Sequence, residues 1–455
     1  MPGHPRYGAG PLGVEFVLSP TPESPAVPSA LRRALSITLL ALASAIVVAC
    51  GGGEDGSKAQ VRLINASIDH SALDLFDGEA VRLRAGIGFG GDASYAEVAP
   101  ADADFDITLA GNSTPLASSA PALTKGKRYS LVAYAASGAL TTALIDDNAD
   151  EADSGKVSLR VLNAAPDAGD LDVYLTAGDV ALVDAQPLHA GAQAGTSTAL
   201  ATVAAANWRL RVTAAGDRAD LRLDLPALAL ASRQVVTLVI TPGAGGVLVD
   251  ALVLVQRGAV DIQRGTAARV RVIAGVTHSG AVSASAGGVT LLGGIGAPAA
   301  GPYLRVPSGD AAAMVSVDGL PITTPAATLA AGQDYTLLVF GPANAGQAAW
   351  ISDDNRRPTV AGRAKLRLVH GLAGLADPVA LTLDFNPVAD GVVPGSGSAP
   401  TPVDAVTAGA LSVTAPGRGS PVWGAVDQVL EAGAVYTLFL VGSDATPVGI
   451  LRKDR

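Results

Sequence analysis

From about residue 59 onward the chain is a succession of short apolar runs cut by glycine, proline, asparagine and aspartate. Four runs open alike: Val61-Arg62-Leu63-Ile64-Asn65-Ala66, Leu159-Arg160-Val161-Leu162-Asn163-Ala164, Val270-Arg271-Val272-Ile273-Ala274-Gly275 and Leu366-Arg367-Leu368-Val369-His370-Gly371. Each is β-rich and ends in a turn. After the first two come Leu73-Asp74-Leu75-Phe76 and Leu171-Asp172-Val173-Tyr174, whose apolar–acidic alternation predicts half-buried strands with the acids on the wet face. Four further runs close alike: Tyr129-Ser130-Leu131-Val132-Ala133-Tyr134, Val236-Thr237-Leu238-Val239-Ile240, Tyr335-Thr336-Leu337-Leu338-Val339-Phe340 and Tyr436-Thr437-Leu438-Phe439-Leu440-Val441. Openers recur at roughly 100 residues, enough to bury a core, and many short strands at that spacing predict β-sandwiches. The expectation is an all-β chain of about four tandem Ig-like units, at 59–155, 156–265, 266–363 and 364–455.

Two apolar stretches need separate readings. The run 235–255 is nearly membrane-like in hydropathy, but Pro242-Gly243-Ala244-Gly245-Gly246 breaks it and Asp250 charges it, so it predicts a buried hairpin. The run 34–49 follows Arg32-Arg33 and is shorter than the about 20 residues of a comfortable span. A basic start, a short apolar stretch and a small-residue end make a secretory signal within 1–49. It closes in Val47-Val48-Ala49-Cys50, which resembles the lipobox of bacterial lipoproteins. That resemblance implies cleavage between Ala49 and Cys50 and acylation of Cys50, with residues 50–58 as a glycine-rich tether. The proline-rich stretch 1–30 is unlike such a leader and reads as lying ahead of the true start. Gly51 after the cysteine favours the outer membrane, by analogy with enteric bacteria.

Composition narrows the function classes. Of 455 residues 49% are hydrophobic and 16% charged, which excludes a disordered polyelectrolyte. One cysteine excludes a disulfide scaffold. A net charge of −10 argues against a nucleic-acid partner, which calls for a basic face.

The second opener with Ala165-Pro166-Asp167, then Leu171-Asp172-Val173-Tyr174 and a Tyr-Thr-Leu closing strand, resembles the bacterial DUF4397 family. Phe89-Gly90 and Tyr95-Ala96-Glu97-Val98 in the first unit carry the family's middle segment, as does Tyr303-Leu304-Arg305-Val306-Pro307-Ser308-Gly309 in the third. The resemblance covers roughly 60–455 and is clearest in the first three units. The second unit departs from it at Val236, where the closing tyrosine would stand, and the fourth lacks the Asn-Ala turn. The family is found on secreted and lipid-anchored bacterial proteins and implies no established activity.

Candidate chemistry is sparse. Asp146, Asp147 and Asn148, and Asp353, Asp354 and Asn355, follow the closing strands of the first and third units and are oxygen donors of the kind Ca²⁺ takes; without a D-x-D-x-D-G loop, solvated turns are the plainer expectation. Gly86-Ile87-Gly88-Phe89-Gly90-Gly91 matches G-x-G-x-x-G but leads to another strand, so it reads as an inter-strand loop. His70, His278 and His370 each follow an opener in a different unit, and with His189 they read as exposed loop histidines. No nucleophile motif is present. Trp208 reads as core, with Trp350 and Trp423 the remaining large candidates for a sugar platform.

The expected protein is therefore non-catalytic and has no catalytic residues, no metal beyond the calcium option and no cofactor. It is exported and lipid-anchored to the cell envelope, where it serves as a surface binding, adhesion or spacer module with a protein or glycan partner. The alternatives are a polysaccharide-capturing or hydrolysing surface lipoprotein, and an envelope scaffold bound to neighbouring proteins.

Overall fold

The computed structural model describes residues 57–455 other than 79, 80 and 92. Ala49, Cys50 and the signal-like run therefore lie outside the described residues. Within them the chain is all-β, its helical residues confined to three single 3₁₀ turns at Pro166–Ala168, Leu182–Asp184 and Ala343–Ala345.

Each of the four segments builds two facing sheets. In the first, one sheet orders Ala96–Val98, Ala59–Asn65, Arg128–Ala136 and Ala139–Asp146, and the other orders Val81–Gly88, Ala72–Asp77, Phe105–Leu109 and Pro115–Ser119. The other three segments repeat this plan, the second with an added edge strand Val260–Gln263 and the third with a further two-stranded sheet of Gly309–Asp310 and Thr328–Leu329. In all four the opening strand lies parallel to the closing strand, and its arginine stands opposite a hydroxyl: Arg62 by Ser130, Arg160 by Thr237, Arg271 by Thr336, Arg367 by Thr437. Parallel neighbours need a long crossover, and here the second sheet supplies it.

Both faces of the opener–closer sheet are buried. Val61, Leu63 and Leu131 join the sandwich core with Leu73, Leu75, Phe105 and Ile107. The alternate residues Ile64, Val132, Tyr134 and Ile145 belong to a separate cluster with Leu162, Val239, Leu252 and Leu254 of the second segment. Ile273, Leu338, Phe340 and Ile351 of the third segment meet Val369, Phe439 and Val441 of the fourth in the same manner. The sandwiches are thus paired face to face, first with second and third with fourth. Two-sided burial explains why these strands read as nearly continuous apolar runs. The stretch 235–255 is one of them, an antiparallel hairpin of Val235–Pro242 and Val249–Val255.

The alternating strands correct the sequence reading. Asp74 and Asp172 are only 2% and 7% exposed. Each carboxylate accepts two backbone N–H groups from glycines at positive φ. For Asp74 these are Gly86 (2.7 Å) and Gly111 (3.1 Å), and for Asp172 Gly191 (2.8 Å) and Gly216 (3.0 Å). The acids therefore pin neighbouring bulges and turns, and the hydrogen bonds offset the desolvation of their charge.

Gly56–Arg455 forms one compact body, because the two pairs also touch. Gly245 N–H donates to Gly332 O (2.8 Å), and a Cβ at Gly245 would stand 2.7 Å from the Asp334 nitrogen. Arg356 bridges to Asp69 (3.2 Å), and Arg455 donates to the Gly246 carbonyl.

Candidate functional site: buried clasps and the cleft between pairs

The opener arginines face the paired interface, where each is held in a polar clasp. Arg62 Nε donates to Ser130 Oγ (2.7 Å), Ser130 donates to Asp147 (2.5 Å), and Tyr95 donates to the same carboxylate (2.8 Å). In the third segment Arg271 donates to Thr336 (2.9 Å), while Thr336 and Tyr303 both donate to Asp353 (2.6 Å each). Arg62 and Arg271 also stack on Tyr95 and Tyr303, 4.9 and 4.4 Å from the ring centroids.

The clasps cross between partners. Arg367 of the fourth segment reaches Asp353 of the third (2.5 Å), and Arg271 of the third pairs with Asp454 of the fourth. Burial would raise the Asp353 carboxyl, but Arg367 and Arg271, with the Thr336 and Tyr303 hydroxyls, outweigh it and hold it below the ordinary carboxylate range. Burial and the nearby Asp353 charge push the Tyr303 hydroxyl well up, so Tyr303 remains a donor. The first pair has one acid fewer. Gln256 N–H donates to Val235 O as Asp454 N–H donates to Val435 O, so Gln256 fills the place of Asp454. Arg62 turns instead to the carbonyls of Gly258 (2.6 Å) and Val255 (3.0 Å), and Gln256 exchanges two hydrogen bonds with Ala149.

These clasps account for the two acidic turns. Asp147 and Asp353 are 1% and 0% exposed, so they are not solvated. Asn148 pins the Arg128 backbone through both its amide groups, and its own N–H and side-chain amide hold Asp146. Asn355 donates to Asp334, which also pairs with Arg269, and Asp354 pairs with Arg356 and Lys365. The oxygens suited to calcium thus face arginines, lysine and amides, and no group of three or more acidic, His or Cys side chains is arranged to hold a metal among the described residues.

The remaining candidates are dispersed. Phe89, in the glycine-rich loop, packs on the first interface, and Gly91 at φ +77 lies so close that a Cβ would stand 2.8 Å from Leu63 O. His70 bonds Ser67 and His278 bonds Thr277. His370 is fully buried, which corrects its reading as an exposed loop residue. Trp208, Trp350 and Trp423 each pack against a sandwich core, and Trp208 and Trp350 donate to the carbonyls of Ala204 and Pro325.

One cavity gathers residues from every segment. About 310 Å³ in volume, it lies between Ile68, Asp69, Ser137 and Gly138 of the first, Pro166, Asp167 and Pro242 of the second, and Arg356, Arg357, Pro358, Thr359, Lys365 and Gly433 from the third–fourth junction and the fourth segment. Burial pushes the Asp167 carboxyl up, against the pull of Arg455, the Arg357 N–H, Lys365 and Arg356. Arg455, behind it, is lowered to about 9 by burial and by the charges of Arg357 and Arg222. The sequence offered only Asp167 as a signal here, since the cations come from a linker and from a strand nearly 200 residues away in the chain.

No curated protein matches the chain. Two stretches, residues 59–174 and 268–377, match the family model of a domain of unknown function, DUF4397. Each begins at the first opener of a pair, contains the clasp tyrosine Tyr95 or Tyr303, and runs past the opener of the second sandwich. The expected resemblance is thereby met in sequence: the chain carries two DUF4397 segments in tandem.

Proposed function

We propose that this is a non-catalytic, lipid-anchored protein of the cell envelope that presents a compact block of paired sandwiches as a binding or adhesion module. The observation that carries the reading is the use of the buried charged groups: Arg271, Arg367, Asp353 and Asp454 tie the third sandwich to the fourth, and Arg62 ties the first to the second through the Gly258 and Val255 carbonyls. A body whose buried charge serves cohesion suits display of loops and edges at a fixed relative placement. It suits a spacer of independent beads less well. Cys50, following Val47-Val48-Ala49, supports the anchor, and Gly51 favours outer-membrane placement by analogy with enteric bacteria. Lipid chains at one cysteine, with the tether to residue 58, would hold the block beside the bilayer.

Intact-mass analysis of detergent-extracted protein from its own cell tests the anchor, beside a Cys50→Ala variant. The expected product starts at Cys50 and carries acyl chains and glycerol, while the variant is unacylated. A mature chain without lipid, or one retaining residues 1–49, overturns the anchored reading.

A further inference from the structure

The cleft between the pairs is segregated by sign. Its wall from the first pair carries two acids, Asp69 and Asp167, and no cation; its wall from the second carries Arg356, Arg357 and Lys365 and no acid. At one edge the walls are tied by Arg356 and Asp69 at 3.2 Å, while Arg356 and Lys365 also share Asp354. That leaves the side chains of Asp167 and Arg357 without a salt bridge among the described residues, although Asp167 accepts the Arg357 backbone N–H and has Arg455 near it. The Arg357 guanidinium makes one long hydrogen bond, 3.3 Å to Gly433 O. Pro166, Pro242, Pro358 and Ile68 supply apolar surface between the charges.

A lone anion drawn to Arg357 would meet the Asp167 charge, and a lone cation drawn to Asp167 would meet Arg357 and Lys365. A ligand with both charges satisfies both walls. We propose that this cleft binds a small zwitterion, a free amino acid or a dipeptide, with its ammonium at Asp167 and Asp69 and its carboxylate at Arg357 and Lys365. An extended dipeptide spans about 7 Å, a length that a cavity of 310 Å³ accommodates. Ionic hydrogen bonds at both ends would give the orientation, and the proline walls would take a small apolar side chain.

Calorimetric titration of the full chain in detergent with alanine, alanyl-alanine, N-acetyl-alanyl-alanine and alanyl-alanine amide tests this. Binding of alanine or alanyl-alanine is expected, the tighter of the two naming the ligand's length, with each blocked peptide weakened about tenfold or more. Arg357→Gln and Asp167→Asn should each weaken the free ligand to a similar extent, the first without moving the thermal midpoint. No binding of any probe at millimolar concentration overturns the proposal, as does a blocked peptide that binds as well as the free one. The inference rests on the binding-module reading and gives it a ligand. A blank titration removes the ligand and leaves the anchor to stand or fall by the mass at Cys50.

Discussion

His370 stands where the first two openers have asparagine, and it takes over their acceptor role. Asn65 and Asn163 accept the N–H two residues on, from Ser67 and Ala165, and His370 accepts that of Leu372 through Nδ1. Accepting at Nδ1 requires the neutral ring, and burial lowers its pKa from the ordinary value. The unfolded chain therefore takes up this proton first as pH falls. Stability should decline from about pH 6.5 downward until the folded ring titrates, then level off. His370→Asn should reduce that slope at little cost, the remainder belonging to His189, whose pKa burial also lowers, and His370→Ala should cost about 1–3 kcal/mol by stranding a buried donor. Urea denaturation at pH 7.5 and 5.5 checks both; an unchanged slope in His370→Asn would show that another group carries it. A lost Asn-Ala turn was visible in the sequence, but its replacement was not, because a ring nitrogen and an amide oxygen share no residue pattern. Asp74 teaches a related lesson: alternation tells which residues share a face, and the amides that line it come from residues 12 and 37 further along.

The strand is the scale at which the sequence was most legible. Openers, closers and the hairpin at 235–255 follow from apolar runs and turn residues, and their repetition gave the tandem plan. The second buried face was not legible, since a period of two cannot tell a sheet packed on one side from one packed on both when an arginine interrupts it. Ser130, Thr336 and Thr437 looked like ordinary strand residues, yet each links an arginine to an aspartate across the sheet. Asp353 receives the most: two arginines, a threonine and a tyrosine meet its carboxylate. Removing its charge while keeping its shape leaves two buried guanidinium groups undercompensated, so Asp353→Asn should destabilise the chain by about 3–5 kcal/mol. Asp147→Asn should cost less, because Arg62 already leans on two carbonyls and lies 3.7 Å from Asp147. Comparing the two midpoints by calorimetry tests the order; equal losses would mean that the crossing of arginines between partners adds nothing.

At the scale of the whole molecule the pair is the natural unit. Both family segments begin in the same phase, at the first opener of a pair, and both stop inside the second sandwich. The sheet that each sandwich turns toward its partner is as dry as its own core: Val239, Leu338, Val369 and Phe439 are all fully buried between segments. A sandwich separated from its partner would expose an apolar sheet face and an unpaired arginine together, so neither member should hold its structure when the interface fails. Leu338→Asp puts a carboxylate into the dry face between third and fourth segments, at a cost above about 3 kcal/mol. Hydrogen exchange should then quicken in the strands Asp334–Gly341 and Val435–Ser443 alike, although only the first contains the substitution. The strands Arg128–Ala136 and Val235–Pro242 belong to the other pair, which meets the damaged one through the Arg356–Asp69 ion pair, the Arg455–Gly246 hydrogen bond and loop contacts rather than a shared dry sheet face, and they should keep their protection. Exchange confined to the third segment would make the single sandwich the cooperative unit, and exchange spread over all four would assign cohesion to the junction between pairs.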